Sequence, residues 1–266
     1  MKYITKKDKD GKVIKLKNYK RRAKINKIKR KCLLISFLLI VLLIIICYTP
    51  ILQVRKITCK GNKLISSEEI IAASQIMLGD NMVRTSKNKA IDNIDNISYI
   101  KNAEITKKFP STIEIKVVEC KIHSYVEINK KYIYLNDEGK ILEISDKIPE
   151  QKVPLLKTGK IKSYKVNEII DFEDSNQISV YKTLILHLNK SIFADILTNI
   201  DISNTNDLTF TVNNQFTVEL GNTSELDYKI FNMATEGYNS PESTNKGTFN
   251  VSIAKGKGYL KQNQEW

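Results

Sequence analysis

The run Ile100-Lys101-Asn102-Ala103-Glu104-Ile105-Thr106-Lys107-Lys108-Phe109-Pro110-Ser111-Thr112-Ile113-Glu114-Ile115-Lys116-Val117 alternates on both sides of Phe109-Pro110-Ser111. Ala103, Ile105, Ile113, Ile115 and Val117 hold odd positions, and Glu104, Thr106, Lys108, Glu114 and Lys116 hold even ones. A period of two sends successive side chains to opposite faces of a strand, so this is a hairpin with one buried face. A buried face needs a cover. The residues just upstream supply it.

Upstream, Val54 to Cys59 reads as a short strand ended by the turn pair Gly61-Asn62. Ser66-Ser67-Glu68-Glu69 is a capping box with Ser66 as N-cap. Ile70, Ala73, Ser74 and Met77 follow at helical spacing, and Gly79-Asp80-Asn81 is expected to stop that helix. A second short helix carries Ala90, Ile91, Ile94 and Ile97 on one stripe. Residues 53–122 therefore form a β-α-α-β-β block.

Downstream, residues 123–254 form a larger mixed β-domain with an open sheet. A meander of Tyr125–Ile128, Tyr132–Leu135 and Lys140–Ile144 comes first, with polar turns between its strands. Asp171, Glu173 and Asp174 crowd the start of an amphipathic helix that turns Ile178, Tyr181, Leu184, Ile185, Leu188 and Ile192 to one side. Strands recur at Ile196–Ile202, Leu208–Val212 and Phe216–Leu220, followed by a short helix with Leu226, Ile230 and Met233. The last strand alternates Phe249, Val251 and Ile253, and residues 255–266 read as a frayed, flexible tail. The fold class is α+β.

Ahead of both blocks, no charged residue stands between Lys31 and Arg55, and Ser36 is the one polar side chain from Leu33 to Ile46. A spanning helix needs about 20 mostly apolar residues to cross a hydrocarbon core of about 30 Å, so residues 32–52 are expected to be a transmembrane anchor. A cleaved signal peptide would have small residues near the exit, where Ile and Tyr stand here. Residues 1–31 hold fifteen Lys and Arg against Asp8 and Asp10, leaving 28 basic and 27 acidic residues for the rest of the chain. Basic flanks stay in the cytoplasm, so residues 1–31 are a basic cytoplasmic tail and everything from about residue 50 is outside the cell membrane. Charge confined to a tail is also the wrong distribution for a nucleic-acid-binding face.

Chemistry is sparse. Cys120-x-x-His123 is half of a metal-site spacing without a second half, and His187 lies within the amphipathic helix. No nucleophile elbow, phosphate-cradling loop or His-Glu-x-x-His occurs. The sequence therefore points to no catalytic residue, no cofactor, no metal and no small-molecule substrate. Cys59 and Cys120 are expected to be mainly reduced.

Several motifs resemble the FtsQ/DivIB family of bacterial division proteins. Val54-x-x-Ile57-x-Cys59-x-Gly61-Asn62 is similar to the family's opening strand and turn, and Ile100 to Ile113 follows its V-x-x-A-x-V-x-x-x-(W/F)-P-x-T-(L/I) run. Leu135-Asn136-Asp137-Glu138-Gly139-Lys140-Ile141-Leu142, Val153-Pro154-Leu155-Leu156-x-x-Gly159 and Val218-x-Leu220-Gly221 match further landmarks in the right order. Two departures stand out. Glu119-Cys120-Lys121-Ile122 lacks the Arg and Pro of the family's Glu-Arg-x-Pro, and Asn250 stands where an acidic residue is usual.

The resemblance implies a POTRA domain over 53–122 and an FtsQ-type β-domain over 123–254. It also implies a divisome scaffold at the septum that recruits single-span partners of the FtsB/DivIC and FtsL type. Its partner-binding surface would lie on the terminal strands, here Thr248, Phe249, Asn250, Val251, Ser252 and Ile253. That strand, last in the chain, is expected at a sheet edge with its backbone free to pair. A membrane-anchored cell-wall enzyme would need a catalytic constellation. A secretion or sensor module would need a barrel or a cytoplasmic output domain.

The anchor is testable at its centre. Leu42→Arg should cost about 2.5–3.5 kcal/mol of insertion free energy, so membrane-pelleted protein should fall on fractionation. Unchanged pelleting would remove residues 32–52 as the anchor.

Overall fold

The computed structural model describes residues 5–7, 9–10, 13–48, 50–240, 246–252 and 259–261, without side chains at 5–6, 13–24, 43, 46–48 and 259–261. β1 (Thr5–Lys7) pairs antiparallel with β2 (Val13–Lys15), and α1 (Leu16–Tyr48) follows directly. The basic tail thus holds a strand pair and the first half of α1. Lys and Arg are good helix formers, and an apolar helix beside them needs no new nucleus to propagate backward.

α1 stops at Tyr48, and a 3₁₀ turn, Pro50–Leu52, succeeds it. Pro50–Leu52, the last residues of the expected span, therefore lie beyond α1. Pro50 has no N–H to donate to a continuing helix. Among the described residues, no helix is long and apolar enough to cross a membrane. The expected span falls partly outside the described residues, at Thr49 and the side chains of Leu43 and 46–48. From Leu33 to Ile45 the large apolar side chains that are described are all exposed.

The chain groups into two compact units: residues 1–58, 76–87 and 106–114, and residues 59–75, 88–105 and 115–266. β3 (Lys56–Lys60), β4 (Ile100–Lys108) and β5 (Thr112–Glu119) make a three-stranded sheet in the order β3-β5-β4. Ala103, Ile105, Ile113, Ile115 and Val117 are all buried, as their parity requires. α2 (Ser67–Ser74) begins on the capping box, with the Glu69 N–H donating to Ser66 Oγ at 3.1 Å. It ends earlier than its apolar spacing indicates. Gln75 turns left-handed at φ 56°, which leaves Met77 outside the helix and exposed. α3 (Lys87–Asp95) buries Ala90 and Ile94.

Glu119 fixes the turn after β3. Its carboxylate accepts the N–H groups of Lys63, Leu64 and Ile65 at 2.9–3.0 Å. Burial pushes this carboxyl up, but the three backbone donors and the Lys63 charge outweigh it and hold it below the usual range. Gly61, at φ 91°, is required beside it, because a Cβ there would lie 2.1 Å from the Val117 carbonyl oxygen.

The second unit contains a nine-stranded sheet in the order β16-β15-β14-β13-β12-β9-β6-β7-β8. Its strands are β6 (Ser124–Ile128), β7 (Lys131–Leu135), β8 (Ile141–Ser145), β9 (Leu155–Lys157), β12 (Leu197–Asp201), β13 (Leu208–Val212), β14 (Phe216–Gly221), β15 (Gly247–Asn250) and β16 (Tyr259–Lys261). The short β9 joins its two halves, pairing parallel with β12 on one side and, through Leu155, with Tyr125 of β6 on the other. α4 (Asn176–Leu188) turns Tyr181, Leu184, Ile185 and Leu188 into the core with Phe193, Phe210 and Phe216.

A small hairpin of β10 (Ile161–Ser163) and β11 (Asp171–Phe172) precedes α4. It corrects the reading of the acidic cluster. Asp171 and Glu173 face Lys162 at 3.5 Å and Lys160 at 3.8 Å, and only Asp174 caps the helix start, accepting from the Asn176 N–H.

The parity of β5 predicts a sharp contrast. Ile115→Ala should cost roughly 2–5 kcal/mol, because the residue is fully buried and its loss leaves a cavity. Lys116→Ala, exposed on the opposite face, should cost under about 0.5 kcal/mol. Urea melts of the full-length chain in detergent should separate the two. Equal losses would overturn the register.

Candidate interaction edge

Of the residues expected to form the partner surface, Thr248 to Asn250 lie in β15, Val251 and Ser252 continue from it, and Ile253 lies outside the described residues. β15 pairs parallel with β14, Thr217 opposite Thr248 and Glu219 opposite Asn250. Two bonds flanking that register give its polarity. The Gly247 N–H donates to the Gln215 carbonyl at 3.0 Å, and the Val251 N–H to the Glu219 carbonyl at 2.9 Å. Backbone groups of a strand alternate in direction, so residues 247, 249 and 251 face β14 while Thr248 and Asn250 face away from it.

That outward side is covered. β16 pairs antiparallel with β15, Thr248 opposite Lys261 and Asn250 opposite Tyr259. The tail is not simply frayed, and β15 is not the free edge that its place in the sequence implied. β16 is the outermost strand at this end, and β8 at the other. The signal for β16 was faint, a lone Tyr259-Leu260 pair in a polar stretch. A three-residue strand shows too few alternations to announce itself.

The side chains divide by face. Val251 is buried in the main core, and Phe249 packs against it, stacked on Phe216 with ring centroids 6.3 Å apart. On the other face Asn250 knits its surroundings together. Its Oδ1 accepts the Ser252 N–H at 3.0 Å and the Ser252 hydroxyl at 2.7 Å, and its Nδ2 donates to Glu219 Oε2. The amide is the better choice here, since an acidic side chain at this position would meet the Glu219 carboxylate with like charge.

The crossover from β14 to β15 contributes residues that sequence did not single out. It runs through a π-helical segment, Tyr228–Ala234, and a short helix α5, Thr235–Asn239. From the π-helical segment the buried Lys229 ammonium donates to the carbonyls of Leu220 at 2.8 Å and Asn222 at 3.2 Å, closing the end of β14. Burial pushes its pKa down, against the charge of Glu225. From α5, Gly237 offers the Phe249 ring a backbone without a side chain.

The histidines and cysteines are otherwise engaged. His123 Nδ1 lies 2.8 Å from Asn189 Nδ2, and burial holds the imidazole below its usual pKa despite the Asp137 charge. His187 places Nδ1 2.6 Å from the Thr183 carbonyl and Nε2 3.0 Å from Asp227. Cys59 and Cys120 are free thiols, and Asn136 Nδ2 donates to Cys120 Sγ at 3.7 Å. Among the described residues, no group of three or more His, Cys, Asp or Glu side chains could hold a metal.

Residues 52–119 match the family described as POTRA domain, FtsQ-type. The chain is 28% identical over 217 residues to the cell division protein DivIB of Clostridium botulinum (strain Loch Maree / Type A3), covering 82% of each. It is 31% identical over 197 residues to DivIB of Clostridium tetani (strain Massachusetts / E88), covering 73% of this chain and 74% of that one. The solved major extracytoplasmic domain of DivIB from Geobacillus stearothermophilus matches at 14% identity and a TM-score of 0.26, over 39% of this chain and 79% of that one.

The notch at Gly237 is testable. A Cβ there would lie 2.5–2.7 Å from three atoms of the Phe249 ring. Alanine gains roughly 1 kcal/mol of helix propensity, but overpacking typically costs about 1–3 kcal/mol. Gly237→Ala should therefore lower the urea midpoint, whereas in an open helix it would raise it.

Proposed function

The chain belongs to the DivIB family of cell-division proteins, and we propose that it serves there as a non-catalytic, single-pass membrane scaffold. In this reading α1 is the anchor, the N-terminus is cytoplasmic and the two external modules stand outside the cell at the division septum. Two features support the anchor. The apolar side chains described from Leu33 to Ile45 are exposed around the helix, a surface that water does not favour. The fifteen Lys and Arg that precede them give the orientation. The partners are other single-span division proteins, of the FtsB/DivIC and FtsL type, and the membrane itself.

The observation that carries the partner surface is the backbone polarity of β15. Thr248 and Asn250 turn their N–H and C=O groups away from β14, toward a position held, among the described residues, by Tyr259–Lys261. A partner strand that took the place of β16 would find those groups already aligned. Phe249 and Val251 would meanwhile keep the strand seated on the core. Thr248, Phe249, Asn250, Val251, Ser252 and Ile253 form the surface in this reading, and strand exchange is its mechanism.

Capture of the membrane partners by the solubilised full-length chain tests it. Asn250→Pro removes an outward donor and should lower capture at least about tenfold, equivalent to about 1.4 kcal/mol. Asn250→Ala keeps that donor and loses only the side-chain bonds to Ser252 and Glu219, so capture should persist with a modest loss of stability. Removing residues 255–266 should leave capture intact or raise it. If the truncation abolished capture and the proline variant did not, the partner would bind the tail and strand exchange would be wrong.

A further inference from the structure

Five exposed apolar side chains collect where the chain leaves α1. Ile51, Met77, Leu78, Val83 and Phe109 are 60%, 69%, 67%, 48% and 62% exposed. They are distant in sequence but tied to one short stretch, residues 52–56. The Met82 N–H donates to the Leu52 carbonyl at 2.7 Å, the Gly79 N–H to the Val54 carbonyl at 2.8 Å and the Val54 N–H to the Asp80 carbonyl at 2.8 Å. The Arg55 N–H donates to the Ser111 carbonyl at 2.8 Å, and Gln53 bridges to Asn81. Each apolar residue therefore lies within two residues of a backbone bond to this stretch. Lys107 Nζ draws the hairpin to the same loop, donating to the Thr85 carbonyl at 2.6 Å. All of these residues belong to the compact unit that contains α1.

The tether is short. Leu52 is four positions beyond Tyr48, the last residue of α1, a reach of at most about 14 Å, and the 3₁₀ turn at Pro50–Leu52 shortens it. The headgroup layer on one side of a bilayer is about 5–8 Å thick. A foot held that close to the end of a spanning helix sits at the headgroup boundary, where loops carrying bare apolar tips bury them in the acyl edge. The surrounding charge suits the same neighbour. Residues 50–58, 76–87 and 106–114 carry Arg55, Lys56, Arg84, Lys87, Lys107 and Lys108 against Asp80 and Glu114. Lys108 is paired with Glu114 at 2.8 Å, which leaves a basic surplus around the apolar tips.

We propose that this foot is a second membrane contact, inserting Ile51, Met77, Leu78, Val83 and Phe109 into the outer face of an anionic phospholipid bilayer. The inference rests on the reading of α1 as a spanning anchor. The foot then fixes the tilt of the compact unit that contains α1 against the bilayer.

The test uses the full-length chain with its four native cysteines replaced by alanine and a bimane label on a single new cysteine. Leu78→Cys and Phe109→Cys report the foot. Val118→Cys is the control. It is also apolar and exposed, but lies seven residues along β5 from Ser111, about 23 Å by strand rise. The chain is reconstituted into phosphatidylethanolamine and phosphatidylglycerol vesicles with or without doxyl-quencher lipid. Quenching at positions 78 and 109 should be several times that at 118, and should weaken when phosphatidylcholine replaces phosphatidylglycerol. If the chain floats with the vesicles but all three labels quench alike or not at all, the foot is not a lipid contact while the anchor stands. A blue shift that grows with protein density without quenching would assign the patch to a second copy and overturn the proposal. Equal quenching in both lipid mixtures would remove the preference for anionic lipid. Failure to float would remove the anchor reading, and this inference with it.

Discussion

The parallel pairing of β15 with β14 is the constraint on which the end of the large sheet depends. Parallel neighbours cannot be joined by a tight turn, so the chain must leave β14, cross one face of the sheet and return in the same direction. The crossover spends its residues on closing what it leaves behind. Lys229 satisfies the carbonyls at the end of β14, Gly237 yields its Cβ space to the Phe249 ring, and Tyr238 packs edge-on against Phe216 at 5.4 Å. A buried ammonium is tolerable here because its donors meet the strand-end carbonyls of Leu220 and Asn222.

A consequence is that β15 presents its outward backbone in a fixed register whether or not another strand covers it. The core side is held by Phe249 and Val251 and the sheet side by bonds to β14. β16 lies against that outward backbone, with Tyr259–Lys261 paired to Thr248–Asn250.

The first external block solves a different problem. Its sheet has three strands, and the turn that follows β3 must be pinned without much core to do it. Glu119 does so by gathering three consecutive N–H groups, which a carboxylate accepts well because its charge strengthens each bond. The Arg and Pro usual after this glutamate in the family are absent, yet the glutamate's task depends on neither of them.

The sequence by itself determined the parity of Ala103 to Val117, the capping box at Ser66, the apolar run from Cys32 and the motifs that place the chain in its family. These are local signals. Side-chain period, cap chemistry and hydropathy are written over a few neighbouring residues, and the physics that reads them acts over the same distance. Only the tertiary structure decided that β9 joins the halves of the sheet, that β16 covers β15, that α2 ends at Gln75, and that the loops bearing Met77, Leu78, Val83 and Phe109 are tied by backbone bonds to residues 52–56. Strand order is set by backbone N–H and C=O groups, which nearly every residue carries alike, so the sequence holds no local mark of which strand will pair with which. The burial of a loop residue such as Met77 likewise depends on what the rest of the chain places over it. Here Met77 stays 69% exposed.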